Sequence, residues 1–255
     1  MLDQINALNL WVITDFDRTF TKWNSMTAFG ALETSPSIPN ELKELQIRNL
    51  LKYRPIELNL EMDPEERNKH MRDWHDASME AFYTYLTQEK FEDVLTHAAH
   101  QIELRDGMVD FAHRAHDAWV PLLINSAWIS SVIERVFDHH GIPRTWIQGN
   151  SLKFDTQGRF AGLSNQHPVH IDDKVWSALP QDFVDVFAQR THFLVMGDAI
   201  WDVKMWPSDR NVFNVWFLLK SQKAHERKFR DTFHHIIESD DCDKGFLTEI
   251  SHKLK

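Results

Sequence analysis

Short, continuously apolar runs alternate along this chain with longer stretches that are apolar on one side only. Leu10-Trp11-Val12-Ile13 is a run of the first kind, the pattern of a strand buried on both faces, and residues 10–15 are predicted to be that strand. Residues 25–104 then read almost wholly helical, with one polar face. From Glu41 to Leu51 the apolar positions Leu42, Leu45 and Leu50 recur at helical spacing. Asp63-Pro64-Glu65-Glu66 starts the next helix: an N-cap acid, a proline at the first helical position, then acids in the first turn. That helix runs through Met71, Trp74, Met79 and Phe82, and another follows from Thr87 to about Gln101. After Arg105 the pattern changes. Asp106-Gly107 precedes a helix through Phe111 and Ala115, and Val120 to Ile124 is a buried strand that tolerates Pro121 near its start. A helix over about 129–140 stops at Gly141 and Pro143, and Arg144 to Gln148 is a short strand. Leu152 to Gly162 alternates around Asp155-Thr156-Gln157-Gly158 as a hairpin, and His192–Met196 and Val212–Leu218 are two more buried strands.

Strands alternating with helices predict an α/β fold: a Rossmann-like parallel sheet with helices on both faces. The helical block interrupts that alternation after a single strand. It is therefore expected to be an inserted α-helical cap spanning 21–104, with the catalytic core made of 1–20 and 105–255. Ligands of such sheets bind beyond the carboxyl ends of the strands, so chemistry is sought there.

Composition narrows the class. With 255 residues, 42% hydrophobic and 26% charged, the chain is globular, and its 10 Trp and 17 Phe supply a large core. Its one cysteine, Cys242, lies in a polar C-terminal stretch, so no internal disulfide and no cysteine-based metal site is possible. That fits a reducing, cytoplasmic location. The first residues lack the basic region of a signal peptide, and no run approaches the roughly 18 apolar residues of a membrane span, so no membrane association is expected. A formal charge of −10 argues against nucleic-acid binding but leaves room for a small anionic substrate, which needs only local positive charge and a metal ion. Nothing in the pattern chooses between a monomer and a homodimer.

The candidate chemistry lies at the strand ends. Asp15-Phe16-Asp17-Arg18-Thr19 places two carboxylates directly after the first strand. Alone, they read equally well as the start of a turn. Ile124-Asn125-Ser126-Ala127 ends the next strand, with a serine able to donate to a phosphate oxygen or to cap a helix. Met196-Gly197-Asp198-Ala199-Ile200-Trp201-Asp202 ends another, and its two acids can share one face of the turn that follows as hard oxygen ligands for Mg²⁺. Lys174, in His170-Ile171-Asp172-Asp173-Lys174-Val175-Trp176, could neutralise carboxylates and phosphate together, or be a surface lysine. His97/His100 and His113/His116 have chelating i, i+3 spacing but no third ligand nearby in sequence, so surface or half-buried histidines are expected there.

Taken in order, strand–DxDxT, strand–Ser, Lys and strand–GDxxxD resemble the haloacid dehalogenase-like hydrolase superfamily across essentially the whole core. An acid at the position of Asp17 marks the phosphatases of that superfamily. Val12 to Thr21, the helical insertion, the Leu152–Gly162 hairpin and Tyr53-Arg54-Pro55-Ile56-Glu57 look like the cytosolic pyrimidine 5′-nucleotidase family. The resemblance implies an Mg²⁺-dependent phosphomonoester hydrolase, acting on nucleoside 5′-monophosphates through an aspartyl phosphate. It implies Asp15 as nucleophile and Asp17 as general acid and base, with Thr19 orienting Asp17 by a hydrogen bond. Ser126 and Lys174 would hold the phosphoryl oxygens. The metal would be bound by Asp15, Asp17 through its carbonyl, Asp198 and Asp202, the last either as a ligand or one step removed. Glu57 would read the base, Ser78 would face the nucleoside, and Ala127 would lie against the substrate.

The family's glycine-containing segment after the serine is Ala127-Trp128-Ile129 here, and its Gly-Asp-Ser-x-Gly-Asp segment is Gly197-Asp198-Ala199-Ile200-Trp201-Asp202, so the acids are kept while, over the two segments, a Ser and two Gly are not. Trp128 and Trp201 are candidates either to line the site or to pack in the core, with core packing the expectation. Two alternatives remain: a phosphatase of another small phosphomonoester, such as phosphoserine or a phosphorylated metabolite, and a catalytically silent protein using the cap to bind a partner.

Overall fold

Residues 4–143, 145–165, 167–171, 174–175, 179, 181–206, 210–240 and 245–254 are described by a computed structural model of the chain. Arg144 and Cys242 lie outside the described residues. The central sheet has the order β3-β2-β1-β6-β7-β8, and every neighbouring pair is parallel. Its strands are β1 (Leu10–Thr14), β2 (Leu122–Ile129), β3 (Trp146–Asn150), β6 (His192–Gly197), β7 (Asn211–Phe217) and β8 (His235–Ile237). β4 (Leu152–Phe154) and β5 (Phe160–Leu163) form a separate antiparallel hairpin, turned at Gly158 with φ 73° and held by Asp155, whose Oδ1 accepts from the N–H groups of Gln157 and Arg159.

Alternation along β1 explains the layers. Leu10 and Val12 join Leu122, Ile124, Leu194, Met196 and Val215 on one face, under α5 (Met108–Asp117), α6 (Ser130–His139) and α9 (Phe246–Lys253). Trp11 and Ile13 join Leu123, Phe193 and Val195 on the other, with Phe183 of α7 (Gln181–Phe187) and Met205. Because successive strand side chains point to opposite faces, a fully buried strand is apolar throughout. Connections run from β1 outward through β2 and β3, then return to β6 and run outward the other way. β1 is therefore the switch point, and a crevice opens at its carboxyl end between β2 and β6.

Between β1 and β2, α1 (Gly30–Thr34), α2 (Asn40–Glu57), α3 (Pro64–Tyr85) and α4 (Gln88–Gln101) precede α5. Asp63 caps α3 as expected, accepting from Glu65 N–H and Glu66 N–H. The two stems of this helical insertion meet: Thr21 bridges Leu104, Lys22 N–H donates to Glu103 O, and Arg105 N–H donates to Phe20 O. Arg105 is buried at that junction, donating to the carbonyls of Arg18, Thr19 and Ser239 and pairing with Asp240. It ties the stems to the segment that follows Asp17.

Boundaries differ from expectation at several elements. α2 continues past Leu51 to Glu57 and carries Pro55. β2 runs on past the expected end at Ile124 to Ile129, its register against β3 shifting between Asn125 and Ile129, while α6 begins at Ser130, where the helix over about 129–140 is expected. β8, only three residues long, was not anticipated, because so short a strand shows no period of its own. No helix among the described residues is long and apolar enough to cross a membrane.

Candidate active site

The carboxyl ends of β1, β2 and β6 converge on a cavity of about 480 Å³. Asp15 follows β1 directly and is held by its own N–H, which donates to Met196 O across the sheet. Lys174 Nζ donates to Asp15 Oδ1 at 2.8 Å and lies 2.6 Å from Asp202 Oδ1, all three side chains buried. Burial opposes the lysine's charge, but Asp15 and Asp202 outweigh it and hold the ammonium protonated, with a pKa above its ordinary value. A surface lysine is thereby excluded.

Gly197 and Asp198 end β6. A Cβ on Gly197 would lie 2.7 Å from Asp202 Cγ, so only glycine lets the acid fold back under the strand. Asp202 Oδ2 then accepts from Ala199 N–H at 2.9 Å. Asp198's carbonyl is fixed by Gln222 Nε2 at 2.7 Å and Trp216 Nε1 at 3.2 Å. Asp15, Asp198 and Asp202 offer oxygen atoms within 4.8 Å of one another, the one such group of His, Cys, Asp or Glu among the described residues. Burial, with the charges of Asp15 and Asp202, pushes Asp198 up to about 8. Burial raises Asp202 to about 6, with Lys174 opposing. Three crowded, buried carboxylates are the donor set a small hard cation would satisfy.

Asp17 is buried beside them. Its Oδ1 accepts from Ala28 N–H at 2.8 Å, and its Oδ2 has no hydrogen-bond partner. Burial is the main cause that raises its pKa to about 7, with the Ala28 bond opposing and the Asp15 charge adding. The expected hydrogen bond from Thr19 is not made: its hydroxyl is buried without a partner, and the Ala28 backbone orients Asp17 instead. Arg18 adopts φ 63° and lines the same cavity.

Ser126 is fully buried, and its Oγ accepts from Trp128 N–H at 3.2 Å. Ala127 and Trp128 line the cavity beside it. The continuation of β2 past Ser126 means that no helix N-terminus adjoins that hydroxyl. Both tryptophans line the cavity rather than only the core: Trp201 is buried under the guanidinium of Arg67, and Trp128 packs against Phe29 and Trp74.

A second chamber of about 950 Å³ shares Arg18, Arg54, Glu57 and Trp128 with the first and adds Phe29, Glu33 and Trp74. Glu57 is buried and ion-paired with Arg54, while Tyr53 stacks on Trp74 with ring centroids 5.8 Å apart. Ser78 lies deeper, in a neighbouring cavity behind Trp74 and Trp128, and donates to Gln46 Oε1 at 3.2 Å. The sequence reading missed Arg54, Glu33, Gln222 and Arg18 as lining residues. Arg54 stood inside the Tyr53–Glu57 run, whereas Gln222 and Glu33 left no local signal. His100 meets His139 edge to face at 4.7 Å and His97 meets the Thr34 hydroxyl, so those histidines are engaged away from this site.

Comparison with known proteins agrees with this architecture. A profile of the pyrimidine 5′-nucleotidase (UMPH-1) family matches residues 14–250. The 7-methylguanosine phosphate-specific 5′-nucleotidase of Drosophila melanogaster is 26% identical over 262 residues, covering 95% of this chain and 81% of that one. Its Homo sapiens counterpart is 24% identical, covering 94% and 84%. The crystal structure of cytosolic 5′-nucleotidase IIIB bound to cytidine superposes with a TM-score of 0.85 at 24% identity, over 98% of this chain and 87% of that one. A phosphoserine phosphatase solved as a phospho-aspartyl intermediate analogue gives 0.57 at 14% identity, over 97% and 99%. With the family profile spanning nearly the whole chain, the protein belongs to the pyrimidine 5′-nucleotidase (UMPH-1) family and is a phosphoric monoester hydrolase.

Proposed function

We propose that the protein hydrolyses nucleoside 5′-monophosphates with Mg²⁺, through an aspartyl phosphate on Asp15. The observation that carries this reading is the pairing of two chambers that share Arg18, Arg54, Glu57 and Trp128: one with buried Asp15, Asp17 and Lys174, the other walled by Phe29, Trp74 and Trp128. The first suits a phosphoryl group and the second a flat aromatic leaving group. The chain divides accordingly into a core of 1–20 and 105–255 and a cap of 21–104. A cytoplasmic location is proposed with it, supported by the cytosolic 5′-nucleotidase names among the relatives.

Asp15 attacks phosphorus, forming an O–P bond as the ester P–O bond breaks. Asp17 starts protonated and gives its proton to the leaving oxygen, then takes one from the water that cleaves the acyl phosphate. Its pKa of about 7 suits both tasks. Lys174 holds a phosphoryl oxygen while orienting Asp15, and backbone N–H groups at the carboxyl end of β2, around Ala127, add donors as charge spreads. Asp15, Asp198, Asp202 and the Asp17 carbonyl are the residues that would hold Mg²⁺, which when bound neutralises charge on the phosphoryl group. Ser126 is proposed to position the Ala127–Trp128 segment and reach the phosphoryl group. Thr19 is proposed to support the loop after Asp17. Glu57 faces the leaving group, and Ser78 backs its aromatic wall.

Released phosphate is to be measured with Mg²⁺ against nucleoside monophosphates, phosphoserine and sugar phosphates, with EDTA and Asp15→Asn as controls. EDTA-sensitive preference for nucleotides supports the reading. Turnover confined to phosphoserine or sugar phosphates keeps the mechanism and removes the nucleoside.

A further inference from the structure

The turn between Asp198 and Asp202 touches the helical insertion as well as the phosphoryl chamber. Trp201 lines that chamber and is buried. Ile200 and Val203, on the same turn, pack against a cluster built on Trp216 and Phe229, and so does Leu60 from the link between α2 and α3. Lys228 Nζ donates to Leu60 O at 3.1 Å, and Leu58 of the same link lines the phosphoryl chamber. The insertion is thus fixed to the sheet domain twice: through the stems that meet at Thr21 and Leu104, and through this seam.

Arg67 completes the seam. It lies in the first turn of α3, is only 9% exposed, and sets its guanidinium carbon 5.2 Å from the centre of the Trp201 ring. Among the described residues that ring is the one partner its guanidinium has. A buried cation without a counter-charge is costly, and here an aromatic face offsets the cost. Trp201 stands where the family's Gly-Asp-Ser-x-Gly-Asp segment has glycine. A glycine would give Arg67 no face to stack on, so the contact depends on this chain's departure from the family pattern.

We propose that Arg67 is a positioning residue for hydrolysis. Through the Trp201 ring it clamps α3 onto the turn that bears Asp198 and Asp202, and so holds the insertion closed over the phosphoryl chamber. Arg67 acts only through Trp201 and takes no part in moving the phosphoryl group or a proton. Loosening the clamp lets the insertion open more often, which weakens the hold on substrate and leaves the reacting groups as they are. The clamp is the same whichever phosphomonoester is cleaved, so it does not depend on the nucleoside reading.

Amide hydrogen exchange on the full chain reads the clamp without any substrate. Arg67→Met keeps an apolar stem and removes the cation. Exchange over 58–67 and 198–203 should speed up on the order of tenfold, the worth of a buried cation–ring contact, while β1 and β2 keep their rates and show that the fold is intact. Trp201→Leu should speed the same segments, and adding Arg67→Met to it should change nothing more, because both break one contact. Arg67→Lys returns a cation to the ring and should recover most of the protection. In the phosphate-release panel above, Arg67→Met should raise KM on the order of tenfold at nearly unchanged kcat. Unchanged exchange in Arg67→Met, additive effects in the double variant, or a Lys variant no better than Met would each overturn the clamp. A loss confined to kcat would overturn the positioning role. Turnover of phosphoserine or sugar phosphates alone would remove the nucleoside reading and leave the clamp to stand on these results.

Discussion

The two adjoining chambers are built in opposite ways. The phosphoryl chamber is assembled by the backbone: Asp15 and Asp198 sit one residue past paired strands, and the β1–β6 register, with Thr14 opposite Met196, sets their spacing. Its chemistry is electrostatic, with three acids around Lys174. The aromatic chamber is assembled by side chains from separate elements: Trp128 at the end of β2 meets both Trp74 of α3 and Phe29 just before α1. Its chemistry is shape and stacking. A sheet register shifts only in discrete steps that turn every side chain over, whereas helix packing tolerates gradual change. The first chamber is thus suited to conserving one reaction and the second to changing what is bound.

The sharpest division between the chambers should come from Asp15→Asn, which should lower kcat by at least about 10⁴-fold while leaving nucleoside binding intact; single-turnover phosphate release is the measurement. Asp17→Asn should lower kcat on the order of 10²–10⁴-fold, because the leaving oxygen loses its proton donor; the loss should be smallest with substrates whose leaving group has a low pKa. Trp128→Ala should act from the other side. It should weaken nucleotides by roughly tenfold to a hundredfold through KM, the worth of base stacking, and barely alter a small aliphatic phosphate. If both substrates lose equally, the two chambers are not separable.

The smallest effect is thermal. Asp198 and Asp202 have raised pKa values of about 8 and about 6, so at low pH they hold protons that a cation must displace. Without a divalent cation, each acid lowers stability as pH rises through its folded value, since the folded state resists ionising them while the unfolded chain does not. Mg²⁺ should therefore raise the melting temperature more at pH 8.5 than at pH 6, by a few degrees at saturating metal. Scanning calorimetry with Mg²⁺ or EDTA at both values checks this, and a shift independent of pH would remove these acids from the metal site.

Legibility in the sequence followed the same division. The apolar run of β1 and the acids after it are contiguous, so strand, turn and chemistry were read together. Asp198 and Asp202 are legible in the same way, since only one tight turn separates the two acids. Thr19 was misread because its supposed partner is engaged by Ala28, a backbone donor that carries no side-chain signature. Trp128 was expected to pack in the core, yet it lines both chambers as well as touching Phe29 and Trp74.

What the sequence by itself determined is therefore the local part: a parallel α/β sheet, the helical interruption, and the acids at the strand ends. Hydrophobic period and strand-end motifs are properties of neighbouring residues. Only the tertiary structure decided that Lys174 meets Asp15 across 159 positions, that Arg54 has already engaged Glu57, and that Trp128 is shared by both chambers. Such facts depend on which groups have lost water and which have found a counter-charge, and both are set by packing between segments far apart in the chain.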